Sequence, residues 1–185
     1  MSKKIVILNG SPRKGGNTAM LCKSFAEGAQ ASGHSVTQFD LGKMNIHGCL
    51  GCMKGGRNPD SPCVQKDDME KIYPAYKEAD IIVLASPMYY WSMSSQLKAA
   101  FDRLFAVAEL DSNYQNPKKS CILLMAAEGD SPDNWKPMLD YYHALLGHLG
   151  WKDCGNVLAG GVLNVGDIAG KPALEEAHKF GASLS

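Results

Sequence analysis

Four short, nearly unbroken apolar runs in this sequence each stop abruptly at residues that turn the chain. Ile5-Val-Ile-Leu8 stops at Asn9-Gly10, and Ile81-Ile-Val-Leu-Ala85 stops at Ser86-Pro87. Cys121-Ile-Leu-Leu-Met-Ala-Ala127 stops at Glu128-Gly129-Asp130, and Val157-Leu-Ala159 at Gly160-Gly161. Such runs are too short for helices and too uniformly apolar for a strand with one wet face. They are the pattern of strands covered on both sides, as in parallel sheets. Ser35-Val-Thr-Gln-Phe-Asp40 alternates instead, and predicts a fifth, more exposed strand. Helical stripes fill the gaps: Leu21, Phe25, Gly28 and Ala29; Leu97, Ala100, Phe101 and Leu104; Met138, Tyr142, Leu145 and Leu149; Leu174, Ala177 and Phe180. Each stripe places its apolar side chains on one helical face for packing against a sheet. Alternation of this kind predicts a doubly wound α/β fold.

Length and charge narrow the function classes. The chain has 185 residues, which predicts one domain over 1–185, interrupted by an insertion at about 43–68. Nineteen basic residues balance nineteen acidic ones, so a nucleic-acid partner is not expected. No run reaches the length of a signal peptide's apolar core or of a membrane span, so a cytoplasmic location and no membrane partner are expected. In that compartment cysteines stay reduced and read as metal-binding, redox-active or inert.

Ligands of doubly wound folds sit outside the carboxyl ends of the strands. The first such turn, Asn9-Gly-Ser-Pro-Arg-Lys-Gly-Gly-Asn-Thr18, has three glycines, two hydroxyls and an arginine just before a helix. Glycines admit an anion close to the backbone, and a helix start aims free N–H groups at it. Ser11, Arg13, Asn17 and Thr18 are therefore candidate phosphate ligands. A nucleoside-triphosphatase loop fails here, because Gly16 stands where that motif needs lysine. The dinucleotide fingerprint fails too, because Ser11-Pro12 follow Gly10. The plainer alternative is a turn in which Asn17 or Thr18 merely caps the helix.

The second turn, Ser86-Pro-Met-Tyr-Tyr-Trp-Ser-Met-Ser-Ser95, carries three consecutive aromatics at a strand end. A run of rings in a loop suits a flat ligand, or else an oligomer contact. Ser94 or Ser95 should cap the next helix. In the third turn, Ala127, Glu128, Gly129 and Asp130 offer a close backbone approach ahead of a helix starting at Ser131-Pro132.

Together the first and second turns, with Gln96-Leu-Lys-Ala-Ala-Phe-Asp-Arg103, resemble the two signatures of the NAD(P)H-dependent FMN reductase family, along nearly the whole chain. The resemblance implies a flavodoxin-like fold: a five-stranded parallel sheet of order 2-1-3-4-5 with helices on both faces. It implies FMN as cofactor, NAD(P)H as co-substrate, and a flavin, quinone or similar small molecule as electron acceptor. It places Pro87, Met88, Tyr89, Tyr90, Trp91 and Ser92 along the flavin ring and the 127–130 turn at its pyrimidine edge. No side chain is then catalytic, because the cofactor carries the chemistry. It also implies a homodimer or dimer of dimers. The alternatives are a flavodoxin-like electron carrier and a flavin-binding sensor module without nicotinamide turnover. Neutral charge argues mildly against the carrier.

The insertion holds His47, Cys49, Cys52 and Cys63. Related iron-sulfur flavoproteins carry four cysteines in a compact run here, whereas this chain has three. Four thiolates are the usual cluster set, so no metal is expected at Cys49, Cys52 and Cys63. Zinc with His47 as a fourth ligand, a redox-active Cys49–Cys52 pair and a disulfide to Cys63 remain as alternatives. Cys22, Cys121 and Cys154 should be buried as small hydrophobes. Asp67-Asp68 should cap a helix from Met69. His34, His143, His148 and His178 should be surface or packing residues. The long loop 160–172 is expected to reach over a neighbouring subunit.

Overall fold

The computed structural model describes residues 1–185. Its elements run β1 (Lys4–Asn9), α1 (Asn17–Ala31), β2 (Ser35–Asp40), a single 3₁₀ turn (Leu41–Lys43), α2 (Met69–Glu78) and β3 (Ile81–Pro87). They continue with α3 (Ser95–Arg103), a short α4 (Phe105–Ala108), β4 (Ser120–Ala126), α5 (Pro132–Leu149), β5 (Lys152–Ala159) and α6 (Pro172–Ala182). The five strands form one parallel sheet in the order β2-β1-β3-β4-β5. This is the flavodoxin-like order expected from the sequence.

The apolar runs split by pleat, since alternate residues of a strand point to opposite faces. Val6, Leu8, Ile82, Leu84, Cys121, Leu123 and Met125 face α2, α3 and α5 in one core. Ile5, Ile7, Ile81, Val83, Ala85, Ile122, Leu124 and Ala126 face α1 and α6 in the other. On that second side, Gly28 of α1 lies against the backbone of His178, and Gly181 of α6 lies against the backbone of Phe25. A side chain at either position would collide with main chain, so the two glycines set how closely these helices cross.

Several boundaries differ from the sequence reading, each for a visible reason. β5 begins at Lys152, five residues before the apolar run, because its first half is an edge strand with exposed Lys152 and Asp153. The strand is also irregular opposite Cys121–Leu123, where Gly155 has a φ of 113°. Cys154 is accordingly half-buried, while Cys22 and Cys121 are buried as expected. Asp68 occupies the N-cap position of α2, but its side chain makes no capping bond. Asp67 Oδ1 instead accepts from the Met69 amide at 3.1 Å.

Candidate functional site

The first turn is built from beneath. Asn9, the last residue of β1, is buried and divides its amide two ways. Its Nδ2 donates to Asp40 of β2 at 3.0 Å, and its Oδ1 accepts from the Ser11 amide at 3.1 Å. Ser11 Oγ in turn accepts from the Arg13 amide at 3.3 Å. Gly10 leans on α3 so closely that a Cβ there would strike Ser94 Oγ at 2.5 Å. Ser94 Oγ donates to the Gly10 carbonyl at 2.8 Å and accepts from the Leu97 amide, capping α3 as expected. The first two turns are thus joined by one buried serine.

The helix that leaves this turn is uncapped. Gly16 is its N-cap residue and contributes no side chain, so Asn17 and Thr18 are the first helical residues rather than caps. The amides of Asn17, Thr18 and Ala19 have no protein acceptor. A helix start left open inside a cleft is a ready anion site, with partial positive charge from the aligned peptides.

Loop 160–171 closes the cleft from the other side. Within its own chain the loop folds onto the first turn. Arg13 Nη1 donates to the Leu163 carbonyl at 2.6 Å. Asn17 Nδ2 donates to the Asn164 carbonyl at 2.9 Å, and Asn17 Oδ1 accepts from the Ile168 amide at 3.3 Å. Asn17 therefore commits one Nδ2 proton and its Oδ1 to the loop, while its main-chain N–H stays free toward a ligand. Asp167 stiffens the loop by accepting from the Leu163 and Asn164 amides at 2.9 and 2.7 Å. Those amides, more than residual burial, hold its carboxyl below the ordinary range. Val162 and Leu163 were not singled out by sequence. No local motif marks them, and only the fold brings them to the cleft.

The second turn folds as a two-residue hairpin. The Tyr89 amide donates to the Ser92 carbonyl and the Ser92 amide to the Tyr89 carbonyl, both at 3.0 Å. Tyr90 and Trp91 sit at φ of 48° and 58°. That is the left-handed pair a type I′ turn requires, usually supplied by Asn-Gly. The turn lifts Tyr90 almost wholly into solvent, at 96% exposure, and leaves Tyr89 and Trp91 exposed as well. In the third turn the Ala127 amide is used by the Ala159 carbonyl, and Asn134 Nδ2 holds the Gly129 carbonyl at 3.0 Å. The amides of Glu128, Gly129 and Asp130 have no protein acceptor.

These pieces form one groove over the carboxyl ends of β1, β3 and β4. A cleft of about 200 Å³ is lined by Ser11, Arg13, Gly16, Asn17, Thr18, Pro87, Met88, Tyr89, Ala127, Glu128 and the 162–163 loop. It shares Met88, Ala127 and Glu128 with a shallower hollow lined by Tyr90, Trp91, Gly129 and Asn134. Ser92 and Asp130, also expected here, are exposed at the rim and line neither hollow. One end of the groove offers hydroxyls, a guanidinium and bare helix amides; the other offers aromatic rings and free backbone donors. That division suits an elongated ligand with an anionic end and a flat, polar-edged end.

The insertion contains none of these groups. Among the Cys, His, Asp and Glu side chains, no three come together as a metal set. No helix is long and apolar enough to cross a membrane.

A flavodoxin-like sheet with an anion-ready first turn and an aromatic second turn defines a class of mononucleotide-binding α/β protein. The chain belongs to the NADPH-dependent FMN reductase family, whose model matches residues 3–133, from β1 through the third turn. It is 35% identical over 101 residues to an iron-sulfur flavoprotein of Archaeoglobus fulgidus, covering 55% of this chain and 45% of that one. The chain spans about half the length of the iron-sulfur flavoproteins it matches. A putative NAD(P)H-dependent FMN-containing oxidoreductase of Bacillus subtilis is 25% identical over 163 residues, covering 85% of each. Among solved structures, an NAD(P)H:quinone oxidoreductase from Methanothermobacter marburgensis superposes with a TM-score of 0.79. It covers 100% of this chain and 97% of its own at 21% identity.

Proposed function

We propose that this chain binds FMN in the groove and uses it to pass reducing equivalents from NAD(P)H to a small acceptor such as a flavin or a quinone. The observation that carries the reading is the uncapped start of α1 beneath Ser11, Thr18 and Arg13, continuous with an aromatic hollow edged by free amides. Phosphate is held at the first end by the Ser11 and Thr18 hydroxyls and the amides of Asn17 and Thr18, with Arg13 adding charge. Pro87 through Trp91 border the ring. The amides of Glu128, Gly129 and Asp130 present donors to its polar edge, where negative charge builds up on reduction. When bound, FMN supplies hydride acceptance and onward electron delivery. Glu128 needs no role as a base in such chemistry, and its exposure at the rim suits that.

The exposed Tyr90, Trp91, Leu163 and Val165 around the groove support a homodimer, or a dimer of dimers, in which a second copy covers part of this rim. A cytoplasmic setting and small-molecule rather than membrane partners complete the proposal, and the balanced charge of the chain argues against a nucleic-acid partner.

One experiment tests the reading. Purified protein is loaded with FMN, freed of excess, and mixed anaerobically with NADH or NADPH. Bleaching of the flavin absorbance is expected. Persistent colour would turn the assignment to an electron carrier or a sensor, and failure to take up FMN would remove it altogether.

A further inference from the structure

The iron-sulfur flavoproteins among the relatives direct attention to the insertion, where this chain offers three thiols and no converging metal set. A four-thiolate cluster does not fit these residues. The loop is also held without one. Arg103, only 1% exposed at its side chain, donates to Asp67 at 2.7 and 3.2 Å and to the carbonyls of His47 and Gln65 at 2.9 and 3.3 Å. One guanidinium thus gathers three points of the insertion onto the end of α3.

Cys49, Cys52, Cys63 and Arg103 line a common small recess against α4. The Arg103 Nε is buried there with no partner. Cys63 packs against the core that holds Tyr73 and shares the recess with Arg103. The chain doubles back between Cys52 and Cys63: the Gly56 amide donates to the Pro62 carbonyl at 2.9 Å, so the segment after Cys52 runs beside the one before Cys63. Cys52 and Cys63 are both half-buried, whereas Cys49 is exposed. From these placements we infer that Cys52 and Cys63 form a metal-free thiol–disulfide site, oxidised by small aliphatic disulfides of the glutathione class.

The exchange balances in two steps. The Cys52 sulfur attacks the external disulfide, forming a mixed disulfide and releasing one small thiolate. The Cys63 sulfur then attacks Cys52 Sγ, forming the internal bond and releasing the second small thiolate. The two cysteine protons end on the two released thiols, and two electrons pass from the protein dithiol to the external disulfide. Segment 44–66 contains no helix or strand, so closing the bond needs movement of loop backbone only. Two of the other four thiols are poor competitors, since burial pushes Cys121 up to about 12 and Cys22 higher still; exposed Cys49 is the competitor that the variants below distinguish.

The test needs no flavin, so its failure and that of the proposed function are separable. Full-length protein is reduced, treated anaerobically with oxidised glutathione, then denatured and its thiols counted. Loss of two of the six thiols is expected, with no glutathione retained. Trypsin cuts after Lys54 and Arg57, so the bond appears as a cross-link between peptides 44–54 and 58–66. Cys49 and Cys52 share a peptide, and Cys49→Ser separates them: this variant should give the same cross-link, while Cys52→Ser and Cys63→Ser should not. Six surviving thiols, a cross-link that needs Cys49, or stoichiometric iron and sulfide after anaerobic reconstitution would each overturn the inference.

Discussion

Individual residues here carry more than their own contact. Ser11 and Thr18 supply the hydroxyls at the bare start of α1. Replacing either one by alanine should weaken FMN binding about 10- to 100-fold, at roughly 1.5–3 kcal/mol for one hydrogen bond to a charged group. Fluorescence titration of the apoprotein with FMN measures it, and unchanged affinity would remove them from the phosphate site. Tyr90 and Trp91 hold left-handed backbone that side chains other than glycine adopt at about 1–2 kcal/mol each. The double variant Tyr90→Asn, Trp91→Gly should therefore melt a few degrees higher while losing affinity or turnover, because it relieves the turn and removes the rings. Thermal melts set beside NAD(P)H oxidation rates would show both effects. Asp67 is the third case. Burial alone would raise its carboxyl, but the Arg103 guanidinium and the amides of His47 and Met69 hold it below the ordinary range. A folded-state value below the unfolded one means stabilisation that is complete above about pH 4–5 and is lost as pH falls through the folded value. Asp67→Asn strands the buried Arg103 and should cost about 3–5 kcal/mol at neutral pH. The gap in Tm between the two proteins should narrow below about pH 4. Arg103 itself was not legible in the sequence. A charged residue closing an amphipathic helix looks like surface, and only the insertion folding over it makes it the centre of a buried network.

At the scale of elements, helices and central strands were readable because burial on both faces leaves an unmixed apolar signature. The first half of β5 and the cleft role of loop 160–171 were not. An edge strand can be polar, and a loop held by main-chain carbonyls leaves no side-chain motif to find. That loop is held to the first turn and the start of α1 largely through Asn17, whose amide makes two of the three bonds, Arg13 making the other. Asn17→Ala should cost about 2 kcal/mol by leaving buried groups unpaired. It should also raise proteolytic nicking within 161–170, which limited digestion would show, while leaving the remote Arg103–Asp67 pair intact. The α1–α6 crossing is more brittle. Gly28→Ala drives a methyl into the His178 carbonyl and should lower Tm by several degrees, overpacking costing typically 1–3 kcal/mol.

For the molecule as a whole, chemistry and thiol exchange are kept apart. The groove lies at the carboxyl ends of the strands, and the cysteine recess lies on the flank formed by α3, α4 and the insertion. The pairing of segments so far apart in sequence adds a consequence in time. Arg13 and Asn17 find their partners in loop 160–171 about 150 residues later, and α1 packs on α6. At roughly 5–20 residues per second, the ribosome needs roughly 8–30 s to cover that distance. Throughout that interval Leu21 and Phe25 have no helix to cover them, and the first turn lacks its outer wall. The groove therefore gains its outer wall only once loop 160–171 has been made, and this stretch of chain can close around a cofactor no earlier than that.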